Sequence, residues 1–148
     1  MKNKFLTFLI LFFLILSCLK STAEQQFNFE VTEIEILNDG NLFKGNKRGK
    51  IISNDGTLIK ADNFSYDKIT NILKANGNVI IEDIINQYEI FTDEIKYFKN
   101  QNLIITKGNS KAIDNKNKII TSNIFEYDRQ SNIINANDNV IIEDELNK

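Results

Sequence analysis

The segment Lys60–Asp83, KADNFSYDKITNILKANGNVIIED, defines the architecture of the chain, because it returns in a second copy as Thr121–Asp144, TSNIFEYDRQSNIINANDNVIIED. Thirteen of the twenty-four aligned positions are identical. The offset between the copies also halves, since three sets of equivalent positions recur at steps of about 30 residues, a period in the range of repeat proteins. These sets are Asn41, Asn71, Asn102 and Asn132; Phe43, Leu73, Ile104 and Ile134; and Gly45, Ala75, Thr106 and Ala136. A fixed period of this length is typical of an array in which each unit buries its apolar face against its neighbour.

Within each unit, apolar and polar residues alternate with the period of two that indicates strands with one buried face. The alternating residues include Phe27, Phe29 and Val31, Phe64 with Tyr66, Ile95 with Tyr97, and Phe125 with Tyr127. Short breaks such as Asn38–Gly40 and Asn54–Gly56 are typical of hairpin turns, because Asn, Asp and Gly tolerate left-handed backbone. We predict an all-β fold of repeated units, each with an aromatic strand, a turn, a return strand and a strand of the Gly77-Asn78-Val79 type.

The N-terminal segment 1–23 has the pattern of a secretory signal peptide. Met1–Lys4 is basic, and Phe5–Leu19 is an almost unbroken apolar run, shorter than the roughly twenty residues that a membrane-spanning helix needs. Ser21–Ala23 supplies small residues for cleavage, so we predict a mature domain that covers positions 24–148. Lipidation of Cys18 and an uncleaved anchor stay open as alternatives. Only four residues follow Asp144, so we expect a domain without a C-terminal cap, either part of a longer protein or capped by a partner.

The composition leaves few means of catalysis. The chain has no His, and Cys18, its one cysteine, is predicted to leave with the signal, so Ser-His and Cys-His pairs are excluded. Neighbouring carboxylates point to opposite faces of a strand, and we interpret three such pairs as solvated strand ends. They are Glu82-Asp83, Asp93-Glu94 and Glu143-Asp144. We therefore expect no catalytic residue and no cofactor, although carboxylates clustered on one inward face would reopen an enzyme hypothesis.

Metal and nucleic-acid sites are equally poorly supported. We interpret Asn54-Asp55-Gly56 as a hairpin turn and not a calcium loop, because Ile51 and Ile52 cannot supply the preceding oxygen ligands. The net charge is −2, and the basic residues are scattered and balanced by acidic ones, so we predict no nucleic-acid partner.

The repeated apolar residues are the candidate site. In one unit they would be ordinary core, but in a stack they form a continuous column. That column either fills a closed core or lines an elongated apolar groove of the kind that holds acyl chains. The residues alone leave both possibilities open. The candidate lining residues are Phe64, Tyr66, Leu73, Ile95, Tyr97, Ile104, Phe125, Tyr127 and Ile134.

Three stretches carry a family resemblance: Ala61–Asp67 (ADNFSYD), Ala75–Val79 (ANGNV) and Phe91–Tyr97 (FTDEIKY). They resemble the repeat of OstA-like (organic solvent tolerance-like) domains, found in LptA and at the N-terminus of the lipopolysaccharide-assembly protein LptD. The resemblance covers roughly Phe27 to Asp144. It implies a twisted, open β-jellyroll with a V-shaped cross-section and no catalytic residues.

The resemblance also implies a function. Such domains hold the lipid A acyl chains of lipopolysaccharide between two sheets, and they stack edge to edge with other OstA-like proteins in a periplasmic bridge to the outer membrane. Within the family, the absent cap and the acidic balance favour the N-terminal domain of LptD, with an outer-membrane barrel as a further partner, over LptA. A structural or adhesive β-solenoid that binds a protein partner through its sheet edges is the alternative.

Overall fold

The structure is a computed structural model that describes residues 26–143. The predicted signal peptide, Cys18 and the last five residues lie outside the described residues. Within them the chain forms one antiparallel sheet of fourteen strands. The strands are β1 (Phe27–Glu30), β2 (Glu33–Leu37), β3 (Leu42–Asn46), β4 (Gly49–Ser53), β5 (Thr57–Ala61), β6 (Asn63–Asp67), β7 (Ile72–Asp83), β8 (Tyr88–Phe98), β9 (Leu103–Lys107), β10 (Ser110–Asp114), β11 (Ile119–Ser122), β12 (Ile124–Asp128), β13 (Ile133–Asn137) and β14 (Ile141–Glu143).

The all-β prediction is confirmed. The helical element of the described part is the short 3₁₀ turn Lys99–Gln101, and no helix among residues 26–143 has the length and apolar character needed to cross a membrane. The strands alternate between buried and exposed side chains as the period of two predicts.

The strands are organised as eight long passes. Six pairs of consecutive strands form one pass each, and the long strands β7 and β8 form the other two. Each pass runs antiparallel to the next, and each half pairs with the corresponding half of the neighbouring pass. Ile72–Asn76 of β7 pairs with β6 and Ile80–Asp83 with β5, and the register shifts between the two halves. The sheet is thus folded along a line into two arms. The first arm holds β1, β4, β5, β10, β11, β14 and the adjoining halves of β7 and β8; the second holds β2, β3, β6, β9, β12, β13 and the other halves.

The fold line, which we call the corner, is built by the repeated Gly-Asn step. Gly77 and Asn78 both have positive φ, +78° and +48°, which turns the pass from one arm to the other. The Asn78 side chain donates a hydrogen bond to Asp62 Oδ2 at 2.8 Å, and the Asp62 amide donates to the Gly77 carbonyl at 2.9 Å. The backbone bond recurs from Asp93 to Gly108 and from Asn123 to Asp138. Asn109 donates its side chain to Asp93 as Asn78 does to Asp62, whereas Asn123 itself donates its side chain to Asp138. The Gly-Asn-Val step is therefore a bend inside one pass, and Val79 continues the same strand.

The core lies between the two arms. Phe27 of the first arm meets Tyr66 of the second with ring centroids 4.8 Å apart, and Tyr88 meets Tyr127 at 5.6 Å. Opposite the corner, the hairpin turns of the two arms approach each other, and we call this side the mouth. The predicted turns at Asn38–Gly40 and Asn54–Gly56 are confirmed on this side. Left-handed backbone occurs in its described hairpin turns at Asn38, Asn71, Asn102, Asn117 and Asn132.

Candidate functional site between the two arms

All nine candidate residues lie on the second arm and face the first. Six of them stand opposite one another in successive strands as a row nearest the mouth: Tyr66, Leu73, Tyr97, Ile104, Tyr127 and Ile134. Three lie in the next row toward the corner: Phe64, Ile95 and Phe125. Eight of the nine are buried and Ile134 is half-buried. The repeat thus brings them onto one face, as its phasing indicates.

The central part of the interior is filled with side chains. Tyr97, Ile104 and Phe125 are 0 % exposed, and so are Ile59 and Ile81, which face them from the first arm. A ligand reaches these residues only if the two arms move apart.

Both ends of the interior meet solvent. In β2, Ile34 and Ile36 are 45 % and 57 % exposed, although they stand opposite the inward-facing Gly45 and Phe43. At the other end, Ile142 pairs with Ile120 on the inward face of the first arm and is 59 % exposed. The apolar interior is therefore accessible at its two ends and closed between them.

A buried polar cluster closes the mouth over the central interior. Asp55, in the turn after β4, forms ion pairs with Lys99 and with Arg129 Nη1, the latter at 2.6 Å. The Tyr97 hydroxyl donates to Asp55 Oδ2 at 2.7 Å and accepts from Arg129 Nη1 at 2.9 Å. Both cations are on the second arm, and Asp55 is on the first. The side chains of Lys99 and Arg129 are only 7 % and 5 % exposed.

Asp83 extends this cluster from the end of β7. Its Oδ2 accepts from Arg129 Nε at 2.7 Å and from the Tyr127 hydroxyl at 2.8 Å. Asn86, in the following turn, donates its amide to Asp83 Oδ1 and its side chain to the Arg129 carbonyl. Arg129 therefore connects two carboxylates of the first arm to the second arm. We call Asp55, Asp83, Lys99 and Arg129, with Tyr97 and Tyr127, the mouth cluster.

The interpretation of Glu82-Asp83 as a solvated strand end is wrong for Asp83. The two residues do point to opposite faces, and Glu82 pairs with Lys60 on the outer face. Asp83, however, points inward, where it is 2 % exposed, because Arg129 compensates the cost of burying a carboxylate. Asp55, in contrast, lies in the predicted turn Asn54–Gly56, and its side chain is 24 % exposed.

The ionisation of the two carboxylates follows from their partners. Burial acts to raise the pKa of Asp55, but hydrogen bonds from Lys99 and Tyr97 outweigh it and hold that pKa well below its usual range. Burial also opposes the ionisation of Asp83, and the hydrogen bond from Arg129 again lowers the pKa below the ordinary value. A general acid needs a pKa raised toward neutrality. These inward carboxylates therefore lack the raised pKa of a general acid.

The tyrosines of the cluster show the opposite shift. Burial and the hydrogen bond to Asp55 raise the pKa of Tyr97 far above that of a free phenol. Burial and the hydrogen bond to Asp83 do the same for the pKa of Tyr127. Both phenols stay protonated and serve as hydrogen-bond donors.

A sequence pattern marks the cations of the mouth cluster, although it matches no catalytic motif. A cation follows each repeated tyrosine by two positions, in Lys68, Lys99 and Arg129. Lys68 lies over the Phe43 ring at 5.1 Å, whereas the other two turn inward to carboxylates. No group of three His, Cys, Asp or Glu side chains among residues 26–143 is placed to hold a metal ion.

Comparisons with known proteins bear on the fold. No protein-family model matches the chain, and no curated protein sequence matches it. The structure is similar to the crystal structure of LptH from Pseudomonas aeruginosa, the LptA-homologous periplasmic component of the lipopolysaccharide transport device. The TM-score is 0.70 at 15 % sequence identity, over 83 % of this chain and 97 % of the LptH chain. The repeats, the folded sheet and this likeness lead to one conclusion: the chain has the open β-jellyroll fold of LptA-type proteins.

Proposed function

We propose that this chain is a non-enzymatic periplasmic module of lipopolysaccharide transport, which holds lipid A acyl chains between its two arms. The observation that carries the proposal is an apolar interior within an LptA-type fold, exposed at both ends through Ile34, Ile36 and Ile142. A row of apolar side chains that runs through a folded sheet offers an acyl chain a continuous hydrophobic surface.

We further propose that the module joins its neighbours through its sheet edges. Within residues 26–143, β1 and β2 at one end, and β13 and β14 at the other, each pair on one side only. An even number of antiparallel passes leaves the two end passes running in opposite directions, so another domain of this fold can continue the meander at either end. Such partners would place the chain in a bridge that leads toward the outer membrane. Because the similar structure is of an LptA homologue, we favour an LptA-type module; the N-terminal domain of LptD, with its barrel, stays a prediction.

The test is photo-crosslinking in cells that export lipopolysaccharide. Ile104 faces inward and is fully buried, and its neighbour Ile105 is half-buried on the outer face, so the pair offers a matched comparison of the same residue type. A crosslinking residue at position 104 is expected to capture the glycolipid, and one at position 105 is not. A crosslinking residue at Ile36, in the exposed end, tests the same interior without any opening of the centre. Absence of capture at both positions 104 and 36, with the protein folded and exported, would contradict the proposal.

The second candidate is a structural or adhesive scaffold that binds a protein partner through its edges. The closed central interior favours it, because Tyr97 and Phe125 leave no room for a ligand in this conformation. Capture of a protein by crosslinkers on β2 or β14, combined with no lipid at either position 104 or position 36, would support this candidate over the first.

A further inference from the structure

Aliphatic and aromatic side chains form most of the interior, and its buried hydroxyl groups include Thr92, Thr106 and Ser110. The mouth cluster is the charged part of this interior within residues 26–143. Its charges balance, with two carboxylates and two cations, and no buried side-chain polar atom among the described residues lacks a hydrogen-bond partner. Burying such ions has a desolvation cost that often equals or exceeds the Coulombic gain, and an apolar replacement is often as stable. Stability alone therefore does not account for an ion cluster at this place.

The position of the cluster indicates another role. Every ion pair in it joins the first arm to the second, from Asp55 and Asp83 to Lys99 and Arg129. The bonds span the central passes, and they lie on the mouth, the side where the arms are not joined by the chain. Among residues 26–143, the ion pairs outside the cluster do not join the two arms across the mouth at the apolar ends of the interior.

An apolar lip lies beside the cluster. The turn that follows Asp83 exposes Ile84 and Ile85, which are 73 % and 70 % exposed. Asn86 of the same turn is bonded to Asp83 and to the Arg129 carbonyl. An acyl chain that contacts this lip would thus lie next to the bonds that hold the arms together.

We propose that the mouth cluster is a latch, which keeps the central interior closed to acyl chains until its cross-arm ion pairs separate. The inference rests on the proposed function, because it assigns a gate to the same interior. With the latch closed, acyl chains have access only to the two ends; with the latch open, they enter the centre from the side, past Ile84 and Ile85. Arg129 is the key residue, because it alone among the described cations contacts both carboxylates.

The first test needs no lipid. Nitroxide labels at Asn54→Cys and Gln130→Cys, in a Cys18→Ser background, flank the Asp55–Arg129 pair from opposite arms. Arg129→Gln is expected to broaden the distance distribution or lengthen the distance by about 5 Å, because packed sheets about 10 Å apart must separate to admit a chain. The control is Lys60→Gln, which breaks an ion pair on the outer face and should leave the distance unchanged. An unchanged distance in folded Arg129→Gln would overturn the latch.

The second test measures access with purified lipopolysaccharide. A crosslinker at Ile36, in the open end, should capture the lipid in both the parent and Arg129→Gln. A crosslinker at Phe125, which is buried and outside the cluster, should capture it about tenfold more in Arg129→Gln, the effect of a change of about 1.4 kcal/mol in the cost of opening. If the parent protein and Arg129→Gln capture the lipid equally at Phe125, the latch proposal is overturned and the proposed function still stands. No capture at either position would overturn the proposed function, while the label distances would still report on the latch.

Should Arg129→Gln fail to fold, Lys99→Gln gives an independent answer. It removes one of the two cations on Asp55 and leaves Arg129 bonded to both carboxylates. We expect a smaller increase in the label distance and a smaller increase in lipid capture at Phe125. If neither quantity changes, the proposal is overturned.

Discussion

Replacement of Arg129 by methionine is the sharpest test of how the two arms are held together. The substitution keeps most of the side-chain length and removes the charge. It leaves Asp83, whose side chain is 1 % exposed, without a cation, with only the Tyr127 hydroxyl and Asn86 as partners. Asp55 is less affected, because Lys99 stays beside it. Breaking one side of a buried ion pair typically costs about 3 to 5 kcal/mol, which for a domain of this size lowers Tm by about 10 to 20 °C.

The measurement is equilibrium unfolding in urea, followed by circular dichroism. Arg48→Met is the matched control, because Arg48 pairs with Asp62 at the corner, where the two side chains are 49 % and 37 % exposed. A pair as exposed as this contributes less than about 1 kcal/mol. The double variant Asp83→Asn with Arg129→Met should be more stable than Arg129→Met, since no unpaired carboxylate is then buried. Equal stability of Arg129→Met and Arg48→Met would show that the buried pair does not hold the arms together.

Three further predictions concern pH and the corner. The lowered pKa of Asp83 stabilises the fold fully above pH 3.8, its ordinary pKa, and this contribution is lost as pH falls through the folded value. Acid unfolding should therefore be less steep in Asp83→Asn. The raised pKa values of Tyr97 and Tyr127 favour the fold below pH 10, an effect lost as pH rises through the folded values. In a variant with Tyr66→Phe and Tyr88→Phe, absorbance at 295 nm should therefore show both residues ionising only on unfolding; ionisation near pH 10 with unchanged circular dichroism would contradict this. Gly77→Ala should lower the free energy of unfolding in urea by about 1 to 2 kcal/mol more than Gly40→Ala does. Both glycines have positive φ, but a Cβ at Gly77 would lie 2.6 Å from Asp62 Oδ2, whereas a Cβ at Gly40 would meet no atom within 4 Å. Equal losses in the two variants would exclude crowding at the corner.

Much of the fold follows from local sequence. The alternation of apolar residues assigns each side chain to a face, because successive side chains of a strand point to opposite sides. The recurrence at steps of about 30 residues then places Tyr66, Tyr97 and Tyr127 in one row, since each repeat spans two passes of the meander. The Asn turns are equally local, because Asn tolerates the left-handed backbone that a tight turn requires.

The bend in each pass is harder to obtain from the sequence. Gly77-Asn78 has the composition of a hairpin turn, yet it redirects one strand from one arm to the other. The difference is settled by Asp62 of the adjacent pass, which accepts the hydrogen bond from Asn78. Residues that permit positive φ allow the chain either to reverse or to bend. The hydrogen bonds to the neighbouring pass determine which of the two occurs.

Periodicity and composition are properties of the chain alone, and they suffice for the all-β class, the repeat, the inward face and the absence of histidine chemistry. The folded molecule was needed to establish that Asp83 is buried against Arg129, far along the chain, and that the central interior is closed while its ends are open. The physical reason is that the periodicity of a strand records which way a side chain points and not what it meets. The partner across the mouth is set by the angle at which the corner folds one arm onto the other.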